Sequence, residues 1–118
     1  IVDPAALEAF LDRVPERVAV VLDEAYYEYA AGPGYYESLP RLRAGQRNLI
    51  VMRSFSKIYG LAGLRVGYML AHEGTIDYME RARPPFNVNR LAQVAADSVY
   101  FLIVYVVHSI RDTNSVPA

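Results

Sequence analysis

Val18-Ala19-Val20-Val21-Leu22 runs directly into Asp23-Glu24, and this change from five apolar residues to two acids decides how the chain is laid out. A β-branched run with no polar alternation fits a strand covered on both faces, as in a parallel sheet. The acids then fall at the strand's carboxyl end. A second run, Leu49-Ile50-Val51-Met52, ends in the same way on Arg53-Ser54-Phe55-Ser56-Lys57. A third strand candidate, Arg65-Val66-Gly67-Tyr68-Met69-Leu70, follows a loop containing Gly60 and Gly63.

Helical signals surround these strands. Asp3-Pro4 opens a helix, because Asp3 caps free amides and proline suits the first turn; Val14-Pro15 closes it. The stretch from Ala31 to Pro40, with Gly32, Pro33 and Gly34, reads as a loop. Thr75 is the expected cap of a helix running to about Arg83, which Pro84-Pro85 must end. A further short helix is expected over Asn89 to Ala96. Strands alternating with helices indicate an α/β sheet, and open sheets of this kind bind ligands at the carboxyl ends of their strands. The polar clusters around Asp23 and Lys57 both lie at such ends.

The 118 residues are 53% hydrophobic and 21% charged, with a net charge of −1. This is the composition of one modest globular domain. It implies neither a broad basic face for nucleic acid nor a polybasic membrane patch. The absence of cysteine excludes disulfides, thiolate metal sites and a cysteine nucleophile. His72 and His108 have no second ligand at useful spacing, so no metal site is assigned. Val99 to Val107, the longest apolar run, is too short to cross a bilayer as a helix, which takes about 20 residues. The expectation is a cytoplasmic protein. The start at Ile1, with no initiator Met and no signal-like stretch, reads as a piece of something longer.

Three residue groups carry chemistry. A carboxylate at Asp23 is costly to bury unless it meets a cation or donors. It reads either as a helix cap or surface acid, or as the group that keeps a pyridine nitrogen protonated. Tyr26 is either a core aromatic or a phenol donor. Lys57 is either a solvated lysine or an imine-forming amine. Ser54 and Ser56 beside it offer hydroxyls, and Arg65 offers a planar fork suited to phosphate.

Val21-Leu22-Asp23-Glu24-Ala25-Tyr26 resembles the Asp-Glu-Ala-Tyr signature of fold-type I aminotransferases. The stretch from Arg53-Ser54-Phe55-Ser56-Lys57 through Gly63-Leu64-Arg65-Val66-Gly67-Tyr68 is similar to their cofactor-lysine segment, in matching order and separation. Arg83-Pro84-Pro85-Phe86-Asn87-Val88-Asn89-Arg90 and the opening Val2-Asp3-Pro4 resemble the histidinol-phosphate aminotransferase family.

The resemblance implies an α/β fold: a partial three-layer sandwich, the central part of the large domain of a transferase dependent on pyridoxal 5'-phosphate (PLP). It implies that Lys57 holds the cofactor as an imine and moves the substrate proton. Asp23 then pairs with the ring nitrogen and Tyr26 with the phenolic oxygen, while Ser54, Ser56 and Arg65 hold the phosphate. Asn87 and Asn89 lie near the substrate in the family pattern. The implied reaction is transamination between an amino donor, histidinol phosphate, and the 2-oxo acid 2-oxoglutarate, in a homodimer.

Two departures qualify these expectations. Family members are much longer, and the upstream cofactor contacts and the C-terminal small domain have no counterpart here. The resemblance covers residues 1–96, a fragment of the large domain, and residues 97–118 form a tail unlike the family. The isolated chain is therefore expected to transaminate poorly or not at all. The competing readings are another PLP enzyme, an aromatic aminotransferase or threonine-phosphate decarboxylase, and a non-catalytic remnant that only self-associates.

Overall fold

The computed structural model describes residues 2–99. Helix α1 spans Pro4–Arg13, and Asp3 caps it as expected, its Oδ2 accepting from the Ala6 amide at 2.8 Å. The helix stops at Val14, held extended (φ −69°, ψ 123°), because a following proline disfavours the helical conformation of the residue before it.

Strands β1 (Val20–Asp23), β2 (Leu49–Ser54) and β3 (Gly67–Ala71) form one sheet in that order. The connection from β1 to β2 carries two short helices, α2 (Tyr27–Ala30) and α3 (Leu39–Arg43). It returns β2 parallel to β1, in a register running from Val20 opposite Leu49 to Asp23 opposite Met52. The third strand begins at Gly67 rather than at the expected Arg65, and it runs antiparallel to β2, with Val51 opposite Leu70 and Arg53 opposite Tyr68. A parallel return needs a crossover, usually a helix. The segment between β2 and β3 holds only a 3-10 turn at Ala62–Leu64.

The core forms on one face of this sheet. Leu11 of α1 packs with Val20, Leu49 and Val51, and Leu7, Leu22 and Leu70 close around them. Each fully buried aliphatic side chain stabilises the fold by about 1.5–3 kcal/mol. The opposite face carries Val21 and Met52, which are 53% and 49% exposed. The expectation of a β1 covered on both faces is thus not met among the described residues. There α1 covers the Val20–Leu22 side, and strand alternation turns Val21 outward.

Helix α4 (Glu73–Ala82) starts earlier than the expected cap at Thr75. His72 is the cap, its Nδ1 accepting from the Gly74 amide at 3.2 Å directly after β3. A further helix covers residues 90–99, where Asn89 Oδ1 accepts from the Ala92 amide at 2.9 Å. Val99 is its last described residue. The rest of the Val99–Val107 run and His108 lie outside the described residues, as does most of the 97–118 tail.

Candidate functional site

Successive side chains alternate across a strand, and at the ends of β1 and β2 this separates two sets of polar groups. On the face opposite the core, a cleft of about 280 Å³ is lined by Asp23, Met52, Ser54, Ser56, Arg65 and Gly67, among others. Four of the six residues singled out from the sequence therefore share one cavity.

Asp23 is exposed, with Oδ1 accepting from the Ala25 amide at 3.0 Å. No cation pairs with it among the described residues. Ser54 Oγ accepts from the Ser56 amide at 3.0 Å, a local turn that swings the chain out of β2 and brings Ser56 round to the cleft. Arg65 is held in the left-handed region (φ 54°, ψ 51°), and its Nη1 donates to the Ala62 carbonyl at 2.9 Å. That conformation costs a non-glycine residue roughly 1–2 kcal/mol. Such strain concentrates where a side chain's placement matters. Two hydroxyls and a guanidinium around one cleft suit a phosphate dianion, and the carboxylate suits a protonated nitrogen.

The other two predicted residues stand together, outside the lining of that cleft. Lys57 Nζ lies 4.6 Å from the centroid of the Tyr26 ring, and both side chains are exposed. Tyr26 lines a second cleft of about 410 Å³ with Tyr27, Tyr35 and Tyr36, and Asp23 is common to the two clefts. Lys57 lines neither. It is the only lysine in the sequence, so the ammonium over Tyr26 is the chain's single ε-amine.

Sequence reasoning missed the ion pair beside the cleft. Of the acidic pair at the end of β1, the buried member is Glu24, at 5% exposure, not Asp23. Arg53 Nε and Nη2 both donate to Glu24 Oε2, at 3.0 and 2.8 Å. The Arg53 guanidinium also lies 3.4 Å from the centroid of the Tyr27 ring. Burial alone would lower the Arg53 pKa, but the hydrogen bond and charge of Glu24 hold it above its ordinary value. Burial raises the Tyr27 phenol, as does Glu37, whose Oε2 accepts from it at 3.1 Å. Tyr59 donates to Glu28 Oε1 at 3.2 Å and is pushed up to about 12, first by burial and then by Glu28.

The two asparagines have structural partners. Asn87 Oδ1 accepts from Arg83 Nη1 at 3.2 Å, and Asn89 Nδ2 donates to the Leu64 carbonyl at 3.3 Å, steadying the turn before Arg65.

Comparison with known proteins bears on the family and the fold. The model of the family "Aminotransferase class I and II" matches residues 1–100. A histidinol-phosphate aminotransferase of Moorella thermoacetica is 58% identical over 96 residues, which are 81% of this chain and 25% of that protein. One from Bacillus subtilis is 58% identical over 90 residues, 76% of this chain and 25% of its own length. The crystal structure of histidinol-phosphate aminotransferase from Sinorhizobium meliloti in complex with pyridoxal-5'-phosphate superimposes with a TM-score of 0.71 at 35% identity, covering 87% of this chain and 29% of that one. The chain spans about a quarter of the length of the curated relatives it matches. The α/β architecture is part of the fold those enzymes share, and the resemblance drawn from the two sequence blocks holds. The chain belongs to the aminotransferase class I and II family.

Proposed function

We propose that this chain carries the PLP-binding core of an aminotransferase acting on histidinol phosphate and 2-oxoglutarate in histidine biosynthesis. The observation that carries the reading is the convergence of Asp23, Ser54, Ser56 and Arg65 on one cleft, with Lys57 next in the chain after Ser56 and its Nζ over the ring of Tyr26. The donor set fits the cofactor: hydroxyls and a guanidinium for its phosphate, a carboxylate for its ring nitrogen and a primary amine for its aldehyde. The relatives named histidinol-phosphate aminotransferase support the choice of amino donor.

When bound, PLP supplies an aldehyde carbon and an electron-withdrawing ring that stabilises negative charge at a substrate α-carbon. Lys57 Nζ is the amine that would hold the cofactor's aldehyde and, when free, would take the proton from the substrate α-carbon. Asp23 would accept the hydrogen bond of a protonated ring nitrogen and keep that proton in place. Tyr26 would donate its phenol to the ring's phenolic oxygen. Ser54, Ser56 and Arg65 would hold the phosphate and so set the ring's position relative to Lys57.

The working enzyme is a cytoplasmic homodimer in this reading. The present chain binds the cofactor through its own share of the contacts and transaminates poorly or not at all. Titrating the chain with PLP and following visible absorbance tests this. The expected result is a band that develops in the wild type and is lost in Lys57→Ala; an identical spectrum in both would overturn the reading.

A further inference from the structure

We infer that Glu24, Arg53 and Tyr27 form a buried clamp that positions the cofactor-facing residues, an inference that rests on the function proposed above. Each member is the chain neighbour of a residue at the site: Glu24 follows Asp23, Arg53 precedes Ser54, and Tyr27 follows Tyr26. Strand alternation sends each neighbour of the Glu24–Arg53 pair to the opposite face of the sheet. The clamp therefore reaches the site through the backbone, and it also borders it: Arg53 lines the same cleft, and Glu24 and Tyr27 line the adjoining one.

The geometry suits that task. The ladder between β1 and β2 ends where the Glu24 amide donates to the Met52 carbonyl at 2.8 Å. One position farther on, two guanidinium nitrogens of Arg53 grip a single carboxylate oxygen of Glu24. Strand ends splay readily, and here splaying would change the separation of Asp23 from Ser54, the groups assigned to opposite ends of the cofactor. With side chains 9% and 5% exposed, the pair is shielded from salt and water. The Tyr27 ring closes over the guanidinium at 3.4 Å, a cation–π contact, and ties in the chain beside Tyr26, whose own ring lies under Lys57 Nζ. Gly67 completes the arrangement: a Cβ there would lie 2.8 Å from the Arg53 carbonyl oxygen.

The test compares the wild-type chain with Glu24→Gln and Tyr27→Leu, using PLP and its phosphate-free analogue pyridoxal as probes. Circular dichroism reports folding, and visible absorbance reports binding. The clamp predicts that folded Glu24→Gln loses tenfold or more in PLP affinity and less in pyridoxal affinity, because the phosphate end is displaced from the ring end. It also predicts that adding Ser54→Ala to Glu24→Gln loses less than the product of the two single losses. A folded Glu24→Gln that keeps wild-type affinity, or losses that multiply, would overturn it. Should Glu24→Gln fail to fold, Tyr27→Leu leaves the charge pair in place and carries the same two predictions. A wild-type chain that forms no lysine adduct overturns the functional reading and the clamp together. Wild-type binding retained in the folded variants overturns the clamp alone.

Discussion

Glu24 and Arg53 meet at 2.8 Å with both side chains at least nine-tenths buried, and their neighbours Asp23 and Ser54 line a cleft that Arg53 also borders. In the proposed reading the two adjacent residue pairs perform different tasks, one holding the strand ends together and the other facing the cofactor. Removing one partner of a buried ion pair leaves an uncompensated charge, at about 3–5 kcal/mol. Arg53→Met should lower the free energy of urea unfolding by that amount, and Arg53→Met combined with Glu24→Leu by clearly less. Equal losses in the single and double variants would show that the pair's charges are not what the interior must satisfy.

Gly67 tests the packing of β3 against β2. A methyl group there meets backbone at 2.8 Å, and backbone cannot rotate away as a side-chain tip can. Gly67→Ala should therefore destabilise the chain by roughly 1–3 kcal/mol, the usual range for overpacking, as read by thermal or urea unfolding.

Arg65 separates stability from binding. Its left-handed backbone (φ 54°) is natural for glycine and strained for arginine. Arg65→Gly should leave stability unchanged or raise it by up to about 1 kcal/mol, while PLP affinity falls because the guanidinium is lost. A variant that both unfolds more easily and binds normally would contradict the assigned role.

Alkaline pH gives a further check. Burial comes first in pushing Tyr59 and Tyr36 from an ordinary value of 10 up to about 12. The folded chain therefore holds these phenol protons more tightly than the unfolded chain. Their contribution to stability is complete below pH 10 and is lost as pH rises toward 12. Urea midpoints measured across that window should fall, and Tyr59→Phe should show a shallower fall than the wild type.

Much of the site was legible in the sequence because its residues sit at strand ends, and strand ends follow from where apolar runs stop. Asp23 after Leu22, and Ser54 to Lys57 after Met52, needed no tertiary information. The burial of Glu24 rather than Asp23 did not follow, since Val18 to Leu22 is apolar throughout and so gives no phase for alternation. The direction of β3 was also hidden, because β-propensity is the same for parallel and antiparallel strands. The cap at His72 was missed in favour of Thr75 because a neutral imidazole accepts a hydrogen bond less conspicuously than a hydroxyl-bearing residue announces a cap.

The central claim is that Lys57 is the cofactor lysine beside a cleft whose residues suit a phosphate. Lys57 is the only lysine in the sequence, so reductive trapping has few alternative targets. The decisive measurement is borohydride reduction after incubation with PLP or pyridoxal, followed by peptide mass mapping, with Nα-acetyl-lysine as the reference amine. The account predicts an adduct on Lys57 at PLP concentrations at least tenfold below those the reference amine requires. That advantage should shrink for pyridoxal and for Arg65→Gly. Labelling confined to the chain's amino terminus, or Lys57 labelling no more efficient than that of the reference amine, would contradict it.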